Sequence, residues 1–289
     1  MNSLSICQAC RVTAPMSMLL LLIGICMGQE PGVRTEEQRA AHLARMKDLA
    51  ASIHVYAAPG KKESEAKLVS EPVLRYGDNT RKNDESSLWI WGSKGRPSAI
   101  AAIEYYPNYR PQGPSWLYEI ASLSAERISV ERITAERGDE LAWTAKEPGL
   151  KLQTIADADP PADKPVRRLG QMKTLRARFT AHERTLSEGR IELRPLTSPL
   201  YRYEDAANDV IDGAIFSFAN GTNPEVLFVL EAYKAKDTQG WRYGLVQMTG
   251  AVVNAELDGK QVWDRGEADP PAVRESYING WIASEVPGK

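Results

Sequence analysis

Two arginine–glutamate pairs are the polar residues of this chain best placed to do chemistry. Arg75 and Glu104 lie in one stretch, and Arg202 and Glu231 stand 127 positions further on in another. An arginine beside a glutamate can serve as a polar anchor in a cleft between helix and sheet, or as the Arg/Glu-based site of a hydrolase. The same pair can be a cross-strand contact contributing about 0.2–1 kcal/mol. Its occurrence at two matched places suits a role in the fold better than a single active site. These four are the candidate ligand-binding residues, and no residue is assigned a catalytic role.

Other chemistry is sparse. The histidines are His42, His54 and His182, and none has a second His or a carboxylate at a spacing that specifies a metal. His42 falls on the polar side of a predicted helix. His54 and His182 fall at helix ends, where the dipole would favour an imidazolium. No Gly-x-Ser-x-Gly elbow and no phosphate-binding glycine loop occurs. No metal and no cofactor is therefore expected. Trp89, Trp91, Trp116, Tyr118, Trp241 and Tyr243 could line a sugar- or lipid-binding surface, but at strand spacing they read as core.

The elements that must position these residues come from a chain of 289 residues, 43% apolar and 26% charged, an ordinary globular composition. A net charge of −2 gives no basic face for nucleic acid. Arg11 is the sole charge before Glu30, and an apolar run from Met16 to Met27 follows it. That run falls short of the roughly 20 residues a membrane-spanning helix needs, and suits the core of a signal peptide. Cys26-Met27-Gly28 offers a cleavage site, so residues 1–28 read as a signal peptide; an uncleaved or lipid anchor is the alternative. Cys7, Cys10 and Cys26 all lie in that segment, which leaves a mature chain without disulfides. The expected location is periplasmic or cell-surface. No transmembrane span is expected in the mature chain, and a protein or ligand of the cell envelope is the partner class that fits.

An internal repeat is visible in the residues themselves. Pro72-Val73-Leu74-Arg75-Tyr76 reads against Pro199-Leu200-Tyr201-Arg202-Tyr203, and Trp89-Ile90-Trp91 falls on Phe216-Ser217-Phe218. Trp116-x-Tyr118 meets Trp241-x-Tyr243, and Leu43, Met46, Leu49 and Ile53 meet Leu169, Met172, Leu175 and Phe179. The organisation read from this is a first repeat over 29–155, a Pro-rich linker over 156–164, a second repeat over 165–267 and a capping segment over 268–289. In the last, Val273, Tyr277 and Trp281 recur at helical spacing and predict a short helix.

Each repeat opens with an amphipathic helix and continues in short aromatic and β-branched segments broken by turn residues. Connections this short require antiparallel neighbours. The predicted fold class is α+β: one helix followed by an antiparallel meander, twice, similar to cystatin-like, NTF2-like or half-barrel folds.

The run Leu88 to Pro97, the segment Arg168-Leu169-Gly170-Gln171-Met172, and Ala214-Ile215-Phe216 with Gly221 to Glu225 resemble a family of exported proteins of planctomycete bacteria. The resemblance covers most of residues 70–265 and implies architecture and location, since that family carries no assigned activity. The leading expectation is a non-enzymatic exported binding or scaffold protein. A hydrolase with a carboxylate site in or between the repeats, and a carrier of an apolar ligand, are the alternatives. Features found in one repeat alone, such as the Asn108–Ser115 loop and the Tyr277/Trp281 segment, are the better places to look for function.

Overall fold

The stripe of Leu43, Met46 and Leu49 winds as helix α1 (Glu36–Ala51), which buries Met46, Leu49 and Ala50. The chain then enters strands β1 (Ile53–Tyr56), β2 (Glu65–Ala66), β3 (Leu74–Asp78), β4 (Asn83–Trp91), β5 (Ala99–Tyr109), β6 (Gly113–Ser122), β7 (Ser129–Arg132) and β8 (Leu141–Thr144). A short strand β9 (Gln153–Thr154) precedes helix α2 (Pro165–Arg176), whose Pro165 sits in the first turn, where its missing N–H costs no bond. Strands β10 (Phe179–Thr185), β11 (Gly189–Pro195), β12 (Tyr201–Asp205), β13 (Val210–Asn220), β14 (Asn223–Ala235), β15 (Thr238–Gln247), β16 (Val252–Leu257), β17 (Lys260–Arg265) and β18 (Tyr277–Ala283) complete the chain. This computed structural model describes residues 35–78, 81–109, 113–132, 141–185, 189–236, 238–267 and 273–283. The signal segment read at residues 1–28 lies outside the described residues.

Among the described residues the protein is mostly antiparallel sheet with two α-helices. One sheet runs β18-β6-β5-β4-β3, and a four-stranded sheet, β2-β1-β7-β8, touches it at the Leu68↔Trp91 bridge. The other large sheet runs β17-β16-β10-β11-β13-β14-β15-β9, with β12 beside β13.

Three apolar layers hold these elements. Met46 and Leu49 of α1 cluster with Trp89, Trp91, Ile103 and Trp116. Met172 and Leu175 of α2 cluster with Phe179, Phe216, Phe228 and Tyr243. Between the two large sheets, Leu88, Ile90 and Ile100 meet Ile215, Leu227 and Val229. Successive side chains of a strand face opposite sides, so β4 sends Trp89 and Trp91 toward its helix and Leu88 and Ile90 toward the facing sheet. Both faces being covered explains why these strands read as continuous apolar runs.

Within the capping segment read over 268–289, the short helix expected at Val273, Tyr277 and Trp281 is instead strand β18, paired with β6 from Tyr277↔Ala121 to Ala283↔Ser115. A spacing of four puts two residues on one face of a strand as well as of a helix, so Tyr277 and Trp281 could not discriminate the two. In return β9, which follows the first run of strands, pairs with β15 at Thr154↔Arg242. Each run of strands thus lends its tail to the other's sheet. The Pro-rich linker is also tied down: the Asp159 carbonyl accepts from Trp241 Nε1 at 2.9 Å, and the Asp163 carbonyl from Arg168 at 2.8 Å.

Gly149 marks where the first tail crosses β6. A Cβ there would lie 1.9 Å from the Ser122 carbonyl oxygen, a backbone atom that cannot swing aside. Gly149→Ala is expected to cost about 3 kcal/mol, the upper range for overpacking, and thermal denaturation of the variant checks it.

Candidate functional site

The four predicted residues separate into two kinds of place. Glu104 is 1% exposed, on the β5 face turned toward the other large sheet. It accepts hydrogen bonds from the Tyr76 hydroxyl of β3 and from the Tyr106 hydroxyl, each at 2.7 Å. Glu119 of β6 lies diagonally across, because Ala102 pairs with Glu119 and Glu104 with Leu117. It accepts from the Tyr277 hydroxyl at 2.6 Å. Burial, then the neighbouring Glu104 charge, pushes the Glu119 carboxyl up to about 8. Burial also raises Glu104, against the opposing pull of its two tyrosines and Arg81.

Two further carboxylates reach this network from the second run of strands. Arg81 pairs with Glu225 and, at 3.5 Å, with Glu183, whose side chains are both fully buried. Burial carries Glu225 well above the ordinary carboxylate range, with Arg81 opposing and Glu183 adding to the rise. One guanidinium cannot balance every negative charge of so dry a cluster, so protons stay on part of it at neutral pH. The Asn223 amide, with its nitrogen turned toward Glu104, bonds Glu104 at 3.2 Å and Tyr76 at 3.1 Å while accepting from Arg81 at 2.9 Å.

Glu231 is fully buried and differently satisfied. Arg96, from the β4–β5 hairpin, grips it at 2.7 and 3.0 Å through Nε and Nη2. The Tyr203 hydroxyl and Arg242 Nε each add a bond at 2.7 Å. Burial alone would raise this carboxyl, but Arg96 first, then Tyr203 and Arg242, hold it below the usual range. The carboxylate is ionised and saturated.

The predicted arginine partners differ from those observed. Exposed Arg75 faces Glu85 at 3.6 Å, and Glu85 also takes His42 Nδ1 of α1 at 2.7 Å. Arg202 reaches Asp212 at 2.6 Å, and Asp212 also takes Arg168 Nε of α2 at 2.9 Å. Each carboxylate pins a helix to its sheet. The tyrosines next in sequence, Tyr76 and Tyr203, reach the glutamates instead, because neighbouring residues of a strand point to opposite faces. His54 and His182, read as helix ends, lie on β1 and β10. His54 pairs with Glu65 at 2.7 Å, and burial lowers His182, the reverse of the expected helix-end effect. The six aromatics weighed as a surface are all buried.

A pocket of about 270 Å³ opens beside the Glu104 network, lined by Arg81, Lys82, Tyr106, Asn108, Tyr109 and Trp281. Trp281 is 39% exposed and stacks on Tyr109, with ring centres 3.7 Å apart and planes 16° from parallel. Tyr106 meets the same indole edge-on at 5.2 Å while its hydroxyl holds Glu104. A second pocket, of about 250 Å³, lies over Lys151, Gln153, Trp263 and Arg265. Neither contains the apolar helix stripes, which are packed into the core. Among the described residues, no group of three or more His, Cys, Asp or Glu could hold a metal ion. No helix among them is long and apolar enough to cross a membrane.

Sequence reasoning missed Arg81, Glu119, Glu183 and Glu225, and it placed Tyr76 in the match with Tyr203 without seeing it as the partner of Glu104. It did flag the Asn108 loop and Trp281 as unmatched features, and the fold brings those two together in one pocket. Comparison with protein-family models, with curated proteins and with solved structures gives no match for this chain.

Proposed function

We propose that this chain is an exported, non-catalytic binding protein made of two copies of one helix-plus-meander unit, with its ligand seated on the Tyr109/Trp281 stack. The matched polar pins support the duplication. Tyr76–Glu104 and Tyr203–Glu231 have the same separation of 28 positions and the same 2.7 Å bond. His42 and Arg75 on Glu85 correspond to Arg168 and Arg202 on Asp212. Arg96 and Asn223, 127 positions apart, each cross to the other unit's tyrosine–glutamate pair.

Against that background the pocket is where the units differ. The residue 127 positions before Trp281 is Thr154, and the one 127 after Tyr109 is Lys236. Glu119 has Gly244 at 125 positions, and Arg81 has Asn208 at 127. The observation that carries the reading is an exposed aromatic stack held on a buried polar network whose Arg81, Glu119, Tyr109 and Trp281 have no like residue at the matched positions. The carboxylates behind it are buried, and Glu104 and Glu119 are hydrogen-bonded to tyrosines, which favours binding over a hydrolase. The helix stripes are packed into the core and line neither of the two pockets described above, which favours this reading over a carrier of apolar cargo.

A thermal-shift screen of the mature protein against monosaccharides and small organic acids tests this. A stabilising hit should lose at least ten-fold in affinity in Trp281→Ala. Turnover of a glycoside, ester or peptide substrate, abolished by Glu104→Gln in a folded variant, would contradict it.

A further inference from the structure

We infer that the pocket takes a sugar acid, a ring carrying one carboxylate, with the ring against Trp281 and the carboxylate at Lys82. This rests on the binding reading above and adds the chemistry of the ligand. None of the six lining residues is acidic, and two, Arg81 and Lys82, are cationic. The Arg81 charge is met from behind by Glu225 and Glu183. Lys82 has no carboxylate partner among the described residues, so it sets the sign of the pocket. An aromatic cage alone would favour an organic cation; two cations in its wall exclude one.

Lys82 is also held where it is. Its backbone lies at φ +59°, a left-handed conformation that few residues other than glycine and asparagine adopt. The turn is stapled by the Asp78 N–H, which donates to Asn83 Oδ1 at 2.7 Å. Strained positions of this kind cluster at ligand sites, and here the strain fixes the base of a cationic side chain at the pocket rim. Tyr109 covers one face of the Trp281 indole and Tyr106 its edge, yet the residue stays well exposed, which leaves apolar surface for the C–H face of a pyranose. The Asn108 amide and the Tyr109 hydroxyl supply partners for ring hydroxyls, which an aromatic acid lacks.

Calorimetric titration of the mature protein with D-glucuronate, D-glucose, benzoate and choline tests the inference. D-glucuronate should bind at least ten-fold tighter than the other three and weaken as salt rises. Lys82→Gly, which suits the left-handed backbone and should keep the melting temperature, is expected to bring D-glucuronate down to the level of D-glucose. Trp281→Ala should abolish both. Tighter binding of D-glucose, benzoate or choline, lost in Trp281→Ala, would overturn the ligand class and leave the pocket as the binding site. D-glucuronate binding untouched by Trp281→Ala would overturn the site as well. If none of the four binds, the sugar-acid assignment falls.

Discussion

Replacing Arg96 by leucine is expected to lower stability by about 3–5 kcal/mol, the cost of breaking a buried ion pair from one side. Arg96 is nearly buried, and its fork grips fully buried Glu231 while its backbone N–H donates to Asp205 at 3.1 Å. Leucine fills much of the volume but leaves the carboxylate with Tyr203 and Arg242 alone. The same residue ties the β4–β5 hairpin to β12 and β14, so the loss falls on the contact between the two large sheets. Because the folded state holds Glu231 below the ordinary range, its contribution is present above the unfolded value and fades as pH falls through the folded one. The penalty should therefore shrink toward pH 4. Urea denaturation of Arg96→Leu, Glu231→Gln and the double variant checks this. The double variant should recover part of the loss, and strictly additive losses would contradict the pairing.

Glu119→Gln should do the opposite and stabilise the protein at alkaline pH. In the fold this carboxyl titrates near 8, while an unfolded glutamate titrates near 4.5. Between those values the folded state holds a proton that the unfolded state has released, so stability falls as pH rises through the window. Glutamine keeps a partner for Tyr277 and cannot ionise. The gain should be on the order of 4 kcal/mol at pH 8.5 and below about 1 kcal/mol at pH 5. The groups facing this position are Glu104 and Tyr277, with Arg81 acting from further off. Equal destabilisation at both pH values would show that Glu119 is charged and serving as an ion-pair partner.

Much of the fold was legible because helix stripes and strand runs are local signals. The Met46/Leu49 and Met172/Leu175 stripes fall where the residues place them. The tails were not legible. Whether Gln153–Thr154 and Tyr277–Ala283 become helix, linker or strand depends on edges of sheets more than 80 residues away. The site divides in the same way. Glu104 and Glu231 stood out because they fall at matched positions of the sequence, 127 residues apart. Glu119, Glu183 and Glu225 gather around Arg81 only after two sheets are stacked, so the raised carboxyls of Glu119 and Glu225 have no trace in spacing. Trp281 was visible as a residue without a matched position in the sequence, although its stacking on Tyr109 depends on β18 lying against β6.

The central claim is that the buried glutamates hold the sheets together while the Trp281 pocket meets the ligand. Indole N–H resonances of the seven tryptophans, followed by 1H–15N NMR during a D-glucuronate titration, test it most directly. With Trp281 assigned through Trp281→Phe, its resonance is predicted to shift with saturation while those of Trp89, Trp91 and Trp241 stay in place. A stationary Trp281 signal with movement at the buried tryptophans, or at Trp263 beside the second pocket, would contradict the account.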